Sequence, residues 1–178
     1  MSEDISSQNY FEIFSLPETF QIDAEKLRQE YRRLQAEFHP DKFAAASDRD
    51  RRLALQYTSI LNDAYETLRS PLRRSGYLLT LHGIDPEENN QAHLGPGFLM
   101  AQMKLRERLE TIAVQEELEE LDRLKSDVAN EINCYQDEIS RLFQDQGYTS
   151  AKPVYNKLQF LYKLESEINQ IEEKLLDY

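Results

Sequence analysis

Histidine, proline and aspartate stand together at positions 39–41, inside the run Phe38-His39-Pro40-Asp41-Lys42-Phe43. The tripeptide combines a titratable ring, a rigid kink and a carboxylate that only accepts hydrogen bonds. Pro40 disfavours helical geometry at His39 and cannot continue a helical ladder, so these groups belong to a loop that no core requires. Polar groups in such a loop serve a partner, or else His39 caps a helix end and Asp41 starts a turn. Other chemistry is sparse. His39, His82 and His93 show no ligand spacing to one another, and Cys134 has no Cys or His nearby in sequence, so neither a metal nor a disulfide is expected. No glycine loop of the phosphate-cradling kind is present, and no catalytic constellation is found, so neither a cofactor nor an enzyme is predicted. His82 is explained as a cation at a helix C-terminus, and Cys134, flanking a helical seam, as a partly buried structural thiol.

The elements that must position the tripeptide can be read on either side of it. Leu27, Tyr31, Leu34 and Phe38 recur at i, i+4, i+7 and i+11, one apolar stripe, which predicts a helix over 24–38. Asp23 stands at its N-cap and Glu25 in its first turn. Downstream, Asp48 is placed to cap a helix over 49–69 carrying Leu53, Tyr57, Ile60, Leu61, Ala64, Tyr65 and Leu68. The tripeptide thus lies in the exposed loop of a helical hairpin. Arg28, Arg32 and Arg33 share one solvent face of the first hairpin helix, able to steer an acidic partner, with an Arg28–Glu25 pair as the plainer use. Residues 1–8 read as a flexible polar tail and 9–15 as a short helix that Leu16-Pro17 leads out of. Ser70-Pro71 breaks the second hairpin helix, and Leu72 to Leu81 make a further short helix that His82-Gly83 stops.

Residues 84–97 read as a linker, because Asp85-Pro86, Asn89-Asn90 and Gly95-Pro96-Gly97 are turn or breaker signals. Three amphipathic helices follow, over 98–113, 115–146 and 151–176. The second carries Leu118, Leu121, Val128, Ile132, Tyr135, Ile139 and Leu142 on its seam and ends at Gly147. The third carries Val154, Leu158, Leu161, Leu164, Ile168, Ile171 and Leu175. Short breaks between them predict an antiparallel three-helix bundle over 98–178. Its first helix is anomalous. At about 100° per residue, Phe98, Leu105, Leu109 and Ile112 fall within roughly 40° of one direction, a sufficient core face, while Leu99, Met100 and Met103 point roughly 100–200° away. Glu107 and Glu110 share that second face. An apolar second face suits a partner, and methionine adapts to a partner's shape; packing against the N-terminal half or the linker is the alternative. Phe160 flanks the seam of the third helix, so it extends this patch or widens the core.

Composition limits the partners. Five glycines, six prolines and few β-branched runs in 178 residues favour an all-α chain. The net charge is −12, and it is unevenly spread: residues 1–80 hold 11 Lys/Arg against 13 Asp/Glu, residues 81–178 hold 10 against 20. So acidic a half repels phosphate backbones, which excludes nucleic acid as a natural partner. No apolar run reaches membrane-spanning length, the first residues are acidic rather than signal-like, and a single cysteine suits a reducing compartment; a cytoplasmic protein is expected.

The hairpin resembles the J-domain of DnaJ-type co-chaperones. The matching pieces are Tyr10-Phe11-Glu12-Ile13-Phe14, Tyr31-Arg32-Arg33-Leu34, His39-Pro40-Asp41, and Ile60, Ala64-Tyr65 and Leu68 with Pro71. A J-domain (9–83) ahead of an acidic bundle resembles the HscB family of iron–sulfur assembly co-chaperones. Thr67-Leu68-Arg69, Tyr77-Leu78-Leu79, Leu81-His82-Gly83, Phe98-Leu99-Met100 and Glu172-Glu173-Lys174-Leu175-Leu176-Asp177 stand in family order. The resemblance implies two partners, an HscA-like DnaK-type ATPase and an IscU-like scaffold on which clusters are built. It implies that His39, Pro40, Asp41 and Lys42 with Arg28, Arg32 and Arg33 meet the ATPase. It further implies that Leu99, Met100, Met103, Glu107 and Phe160 meet the scaffold. Met103 stands where relatives usually have leucine, and Lys104 and Thr111 where they can carry acids. The N-terminal cysteine-rich zinc module of many eukaryotic relatives is absent, as in a bacterial-type form. A J-protein with a different or broader client, and a helical interaction module whose His-Pro-Asp is accidental, are the rival readings.

Overall fold

The computed structural model describes residues 5–43, 46–88 and 94–176. Among these there are seven α-helices: α1 (Tyr10–Ile13), α2 (Ala24–Glu37), α3 (Asp48–Arg69), α4 (Pro71–Leu81), α5 (Pro96–Gln115), α6 (Leu118–Gln144) and α7 (Tyr148–Leu176). No described residue is in a strand. The chain divides into two compact units, Met1–Leu78 and Leu79–Tyr178, and the division falls inside α4.

In the first unit, local chemistry sets the helix starts. Asn9 and Glu12 form a reciprocal capping box, with Asn9 Oδ1 accepting the Glu12 amide at 3.0 Å and Glu12 Oε2 the Asn9 amide at 2.7 Å. Asp23 Oδ1 accepts from the amides of Glu25 and Lys26, both at 3.0 Å, as its spacing predicts. At α3 the cap is Ser47, whose Oγ accepts the Asp50 amide at 3.2 Å; the expected cap, Asp48, is the first helical residue, and its carboxylate holds Arg51 instead. The shorter Ser47 side chain reaches back to the N3 amide equally well, so two adjacent capping residues left the boundary ambiguous by one position.

The apolar stripe packs as read. Leu27, Leu34 and Phe38 are buried, as are Leu61, Ala64 and Leu68 on α3. Between the two helices the Tyr31 ring stacks on Tyr65, centroids 4.1 Å apart, and its hydroxyl donates to Asn62 Oδ1 at 2.9 Å. Two features escaped the sequence pattern. Ile5, expected in a flexible tail, is buried at the end of a short 3-10 turn; a lone apolar residue carries no periodicity. Arg74, 8% exposed, lies 5.0 Å over the Phe20 ring and donates to the carbonyl of Leu68, supplying a donor to the C-terminal carbonyls of α3. Tyr77 clamps α4 to α1. Its ring stacks on Tyr10 at 4.4 Å and its hydroxyl accepts the Tyr10 amide at 3.0 Å; burial pushes this phenol up while that amide pulls it down.

In the second unit, α5, α6 and α7 make the three-helix bundle. Leu121, Val128, Ile132 and Ile139 of α6 are buried with Val154, Leu158, Leu161, Leu164 and Ile168 of α7. Leu118 departs from its predicted seam and is 41% exposed at the start of α6. Cys134 also departs: it is exposed, because the seam passes through Ile132 and Tyr135 and leaves position 134 on the solvent side. The segment expected as a linker is packed where it is described. Lys152 of α7 donates to the Pro86 carbonyl and Leu94 is buried. Asp85-Pro86 and Gly95-Pro96 thus turn the chain without freeing it, while Asn89, Asn90 and His93 lie outside the described residues.

Two helix ends show what a left-handed residue contributes. α4 closes with the Ile84 amide on Leu79 O (2.9 Å) and the Gly83 amide on Thr80 O (3.0 Å), with Gly83 at φ +75°. α6 closes in the same pattern, Gly147 on Leu142 O and Gln146 on Phe143 O, but there the left-handed residue is Gln146 at φ +56° and the glycine comes one position later. A Cβ at Gly83 would meet nothing within 4 Å, so Gly83→Ala isolates the backbone term and is expected to destabilise by about 1 kcal/mol. Gln146→Gly should stabilise by roughly 0.5–1 kcal/mol. Denaturant unfolding of the two variants checks the opposite signs.

Candidate functional site

The His39–Asp41 loop begins one residue after an anchor. Phe38 is buried, its ring edge-on to Tyr57 at 5.2 Å, and its carbonyl accepts from Thr58 Oγ1 at 3.3 Å. The chain then leaves the core as a 3-10 turn, Pro40–Phe43, with the Lys42 amide on His39 O at 3.0 Å. His39 Nδ1 accepts the Asp41 amide at 3.2 Å, which puts the proton of the neutral ring on Nε2. Asp41 Oδ2 stands 3.5 Å from the same Nδ1, and its side chain is 91% exposed, that of His39 about half. The imidazole therefore caps the turn, and the same turn holds both polar groups at the surface.

The arginines divide. Arg28 pairs with Glu25 at 2.9 Å, and Arg33 with Glu30 at 2.9 Å and Glu37 at 3.2 Å. Arg32 makes no ion pair with another described residue. It lines a shallow depression of about 400 Å³ with Gln35, Ala36, His39 and Lys42. The single cationic face expected from spacing is thus partly neutralised within α2, and the uncompensated charge of the face concentrates beside His39.

The second candidate face is on α5. Leu99, Met100 and Met103 are 39%, 61% and 63% exposed, whereas Leu109 and Ile112 on the opposite side are buried. Glu107 is exposed beyond them. Phe160 of α7 is half-buried, edge-on to Phe98 at 6.1 Å, with the Arg106 guanidinium 4.6 Å over its ring. By helical arithmetic Leu99, Met103 and Arg106 lie within roughly 60° of one another on the α7 side of α5, while Met100 and Glu107 lie further round. Leu99 and Met103 are therefore on the edge that Phe160 continues through Arg106. Phe98 is less buried than predicted, its ring also edge-on to Tyr135 at 6.2 Å with the Lys157 ammonium 5.8 Å away. Nearby, burial raises the Glu131 carboxyl, with Lys157 opposing the shift.

Sequence reasoning missed Gln102. It is 1% exposed on the core side of α5, and neither its Nε2 nor its Oε1 has a hydrogen-bond partner among the described residues. Its type says surface, and only its position between Phe98 and Leu109 in the stripe says otherwise. An unsatisfied buried amide costs roughly 1–3 kcal/mol, whereas an apolar side chain of similar size does not. Gln102→Leu is therefore expected to stabilise the bundle by about that amount; calorimetric unfolding showing a loss instead would mean that the amide is satisfied in solution.

A helical hairpin that presents His-Pro-Asp at its loop, clamped by a fourth helix and followed by a helical bundle with an exposed apolar face, defines a J-type co-chaperone. Residues 9–77 match the DnaJ domain, and residues 94–169 match the HSCB C-terminal oligomerisation domain. A co-chaperone protein HscB homolog of Vibrio atlanticus is 42% identical over 94% of this chain and 99% of its own length. Among solved structures, the chaperone HscB from Vibrio cholerae superposes with a TM-score of 0.86 at 40% identity, over 94% of this chain and 99% of that one. Human co-chaperone protein HscB gives 0.87 at 29% identity, over 92% and 82%. The chain belongs to the HscB family of co-chaperones. No described helix is long and apolar enough to cross a membrane.

Proposed function

We propose that this protein is a two-ended cytoplasmic adaptor in iron–sulfur cluster assembly. The loop at His39, Pro40 and Asp41, with Arg32 and Lys42 beside it, docks on an HscA-like DnaK-type ATPase and accelerates its ATP hydrolysis. The bundle brings an IscU-like scaffold as the client, through Leu99, Met100, Met103, Glu107 and Phe160, so that hydrolysis traps it. Chemistry in this scheme belongs to the ATPase and the scaffold. The adaptor contributes effective concentration, converting an encounter of two proteins into an event within one complex. The observation that carries the reading is the exposure of Leu99, Met100 and Met103 on a helix that buries Gln102, Leu109 and Ile112 on another side.

Steady-state ATPase of the HscA-like chaperone tests it. The protein alone should stimulate hydrolysis, and the protein with scaffold should do so more than additively. Stimulation that the scaffold leaves unchanged would point to a different client, and no stimulation would remove the J-domain mechanism. Within that assay the arginines should separate. Arg32→Glu is expected to weaken stimulation several-fold more than Arg28→Glu or Arg33→Glu, because exposed charges already paired on their own helix add little to the field outside. The Arg32 effect should shrink as salt shortens the Debye length from about 10 Å at 0.1 M to about 3 Å at 1 M.

A further inference from the structure

Leu94 and Leu109 are buried, and between them Gln102 is the one residue that is buried as well. Phe98, Leu105, Arg106 and Arg108 are half-buried along this stretch, and its other side chains are exposed. The second half of α5 is held differently. Leu109 and Ile112 are both in the core, and Arg108 bonds to Asp127 at 2.8 Å and Glu120 at 3.3 Å on α6. The start of the helix adds little. No side chain caps it, Gly97 stands in its first turn, and the Leu99 amide meets the Gly95 carbonyl at 3.3 Å.

A local opening of this stretch is therefore inexpensive. It uncovers few buried apolar atoms. It also gives water to Gln102 Nε2, Gln102 Oε1 and Arg106 Nε, three buried atoms with no hydrogen-bond partner among the described residues. The contact with α7 across which Arg106 lies, 4.6 Å over the Phe160 ring and 3.7 Å from Glu167, is the side that would part. Leu99 and Met103 move with α5, whereas Phe160 stays with α7. The apolar face is whole only while the stretch is seated.

We propose that residues 96–107 are a release element, which lifts from α6 and α7 as a local unit at a frequency set by Gln102. This rests on the client-carrying role of the bundle given above and adds a control to it. Gln102 touches no client in this scheme; it positions the face that does. Apparent affinity falls by the fraction of molecules in which the face is assembled, and a client held across Leu99, Met103 and Phe160 loses half of its contacts whenever the stretch opens. An apolar side chain at this register would hold the stretch shut and the client with it. Glutamine leaves the face able to load and able to let go.

Amide hydrogen exchange on the full chain, paired with dissociation kinetics of the IscU-like scaffold, tests this. In the wild type the amides of residues 100–107 should exchange at least tenfold faster than those of 109–113, and bound scaffold should slow them. Gln102→Leu should slow exchange at 100–107 about tenfold, leave 109–113 within twofold, and slow scaffold dissociation threefold or more. Gln102→Met, closest in shape, should do the same and serves if the leucine packs poorly. A purely structural gain would slow exchange throughout the bundle and leave dissociation unchanged. Equal exchange along α5 in the wild type overturns the release element. So does a scaffold dissociation rate within twofold of wild type in both variants, and either result leaves the adaptor reading standing. Absence of scaffold binding by the wild type overturns that reading and the release role together.

Discussion

Replacing His39 by glutamine, or Asp41 by asparagine, is expected to reduce ATPase stimulation to the level of the chaperone alone. Scaffold binding and helix content should not change. The reason is where the two side chains sit. Asp41 is almost fully exposed, and its partner among the described residues is the ring two residues before it. Asp41→Asn keeps the shape and removes the charge, so an effect on stability should stay within about 0.5 kcal/mol. His39→Gln gives up one exposed hydrogen bond within the turn, which contributes at most about 0.5–1.5 kcal/mol. Phe38 is the contrasting position. It is buried against Tyr57 and its carbonyl is held by Thr58, so Phe38→Ala should cost roughly 3–5 kcal/mol and lose stimulation by unfolding the hairpin. Far-ultraviolet circular dichroism with ATPase rates separates the two kinds of loss. Retained stimulation in both His39→Gln and Asp41→Asn would leave the loop as a helix terminus and a turn, with docking elsewhere.

The parts of this molecule that repeat were legible in the sequence, and the parts that depend on one tertiary contact were not. Every helix of the hairpin and bundle announced itself by an apolar stripe, and the ends came within about three residues because Asp23, Pro71, Gly83 and Pro96 constrain the backbone locally. The second face of α5 was legible for the same reason, since a stripe beyond what a core needs is itself a pattern. Arg74 was not, because a guanidinium buried over Phe20 depends on the loop 54 residues earlier reaching that place. Gln102 and Cys134 failed in opposite directions. One is a polar residue at a core register and the other a small apolar-tolerant residue at a surface register, and in both cases position outweighed type. The pairing of Arg33 with Glu30 and Glu37 was available from i, i+3 and i, i+4 spacing, and applying that rule to Arg28 alone left the basic face overstated.

Leu99→Ala/Met100→Ala/Met103→Ala should fold as well as wild type and fail to carry the scaffold. These three side chains leave no cavity when shortened, because each is already exposed; the unfolding free energy should change by less than about 0.5 kcal/mol per site. Leu161, fully buried in the same bundle, supplies the control, and Leu161→Ala should cost about 2–5 kcal/mol. At a docking surface the balance reverses. Loss of an apolar anchor costs roughly 1–2 kcal/mol of binding, or about five- to thirty-fold in affinity for each. Basal stimulation of the ATPase should survive in the triple variant, since the His39–Asp41 loop is untouched, while the additional stimulation by scaffold disappears. Glu107→Ala should act in the same direction more weakly, as an exposed charge mainly affects encounter. Phe160→Ala is a less clean probe than its sequence position suggested. Its ring supports the Arg106 guanidinium and meets the edge of Phe98, so truncation there removes internal packing together with any partner contact. Thermal unfolding paired with calorimetric titration of the scaffold decides the matter. A large fall in unfolding temperature with unchanged scaffold affinity in the triple variant would show that this face belongs to the fold, and the client would have to be sought on another side of the bundle.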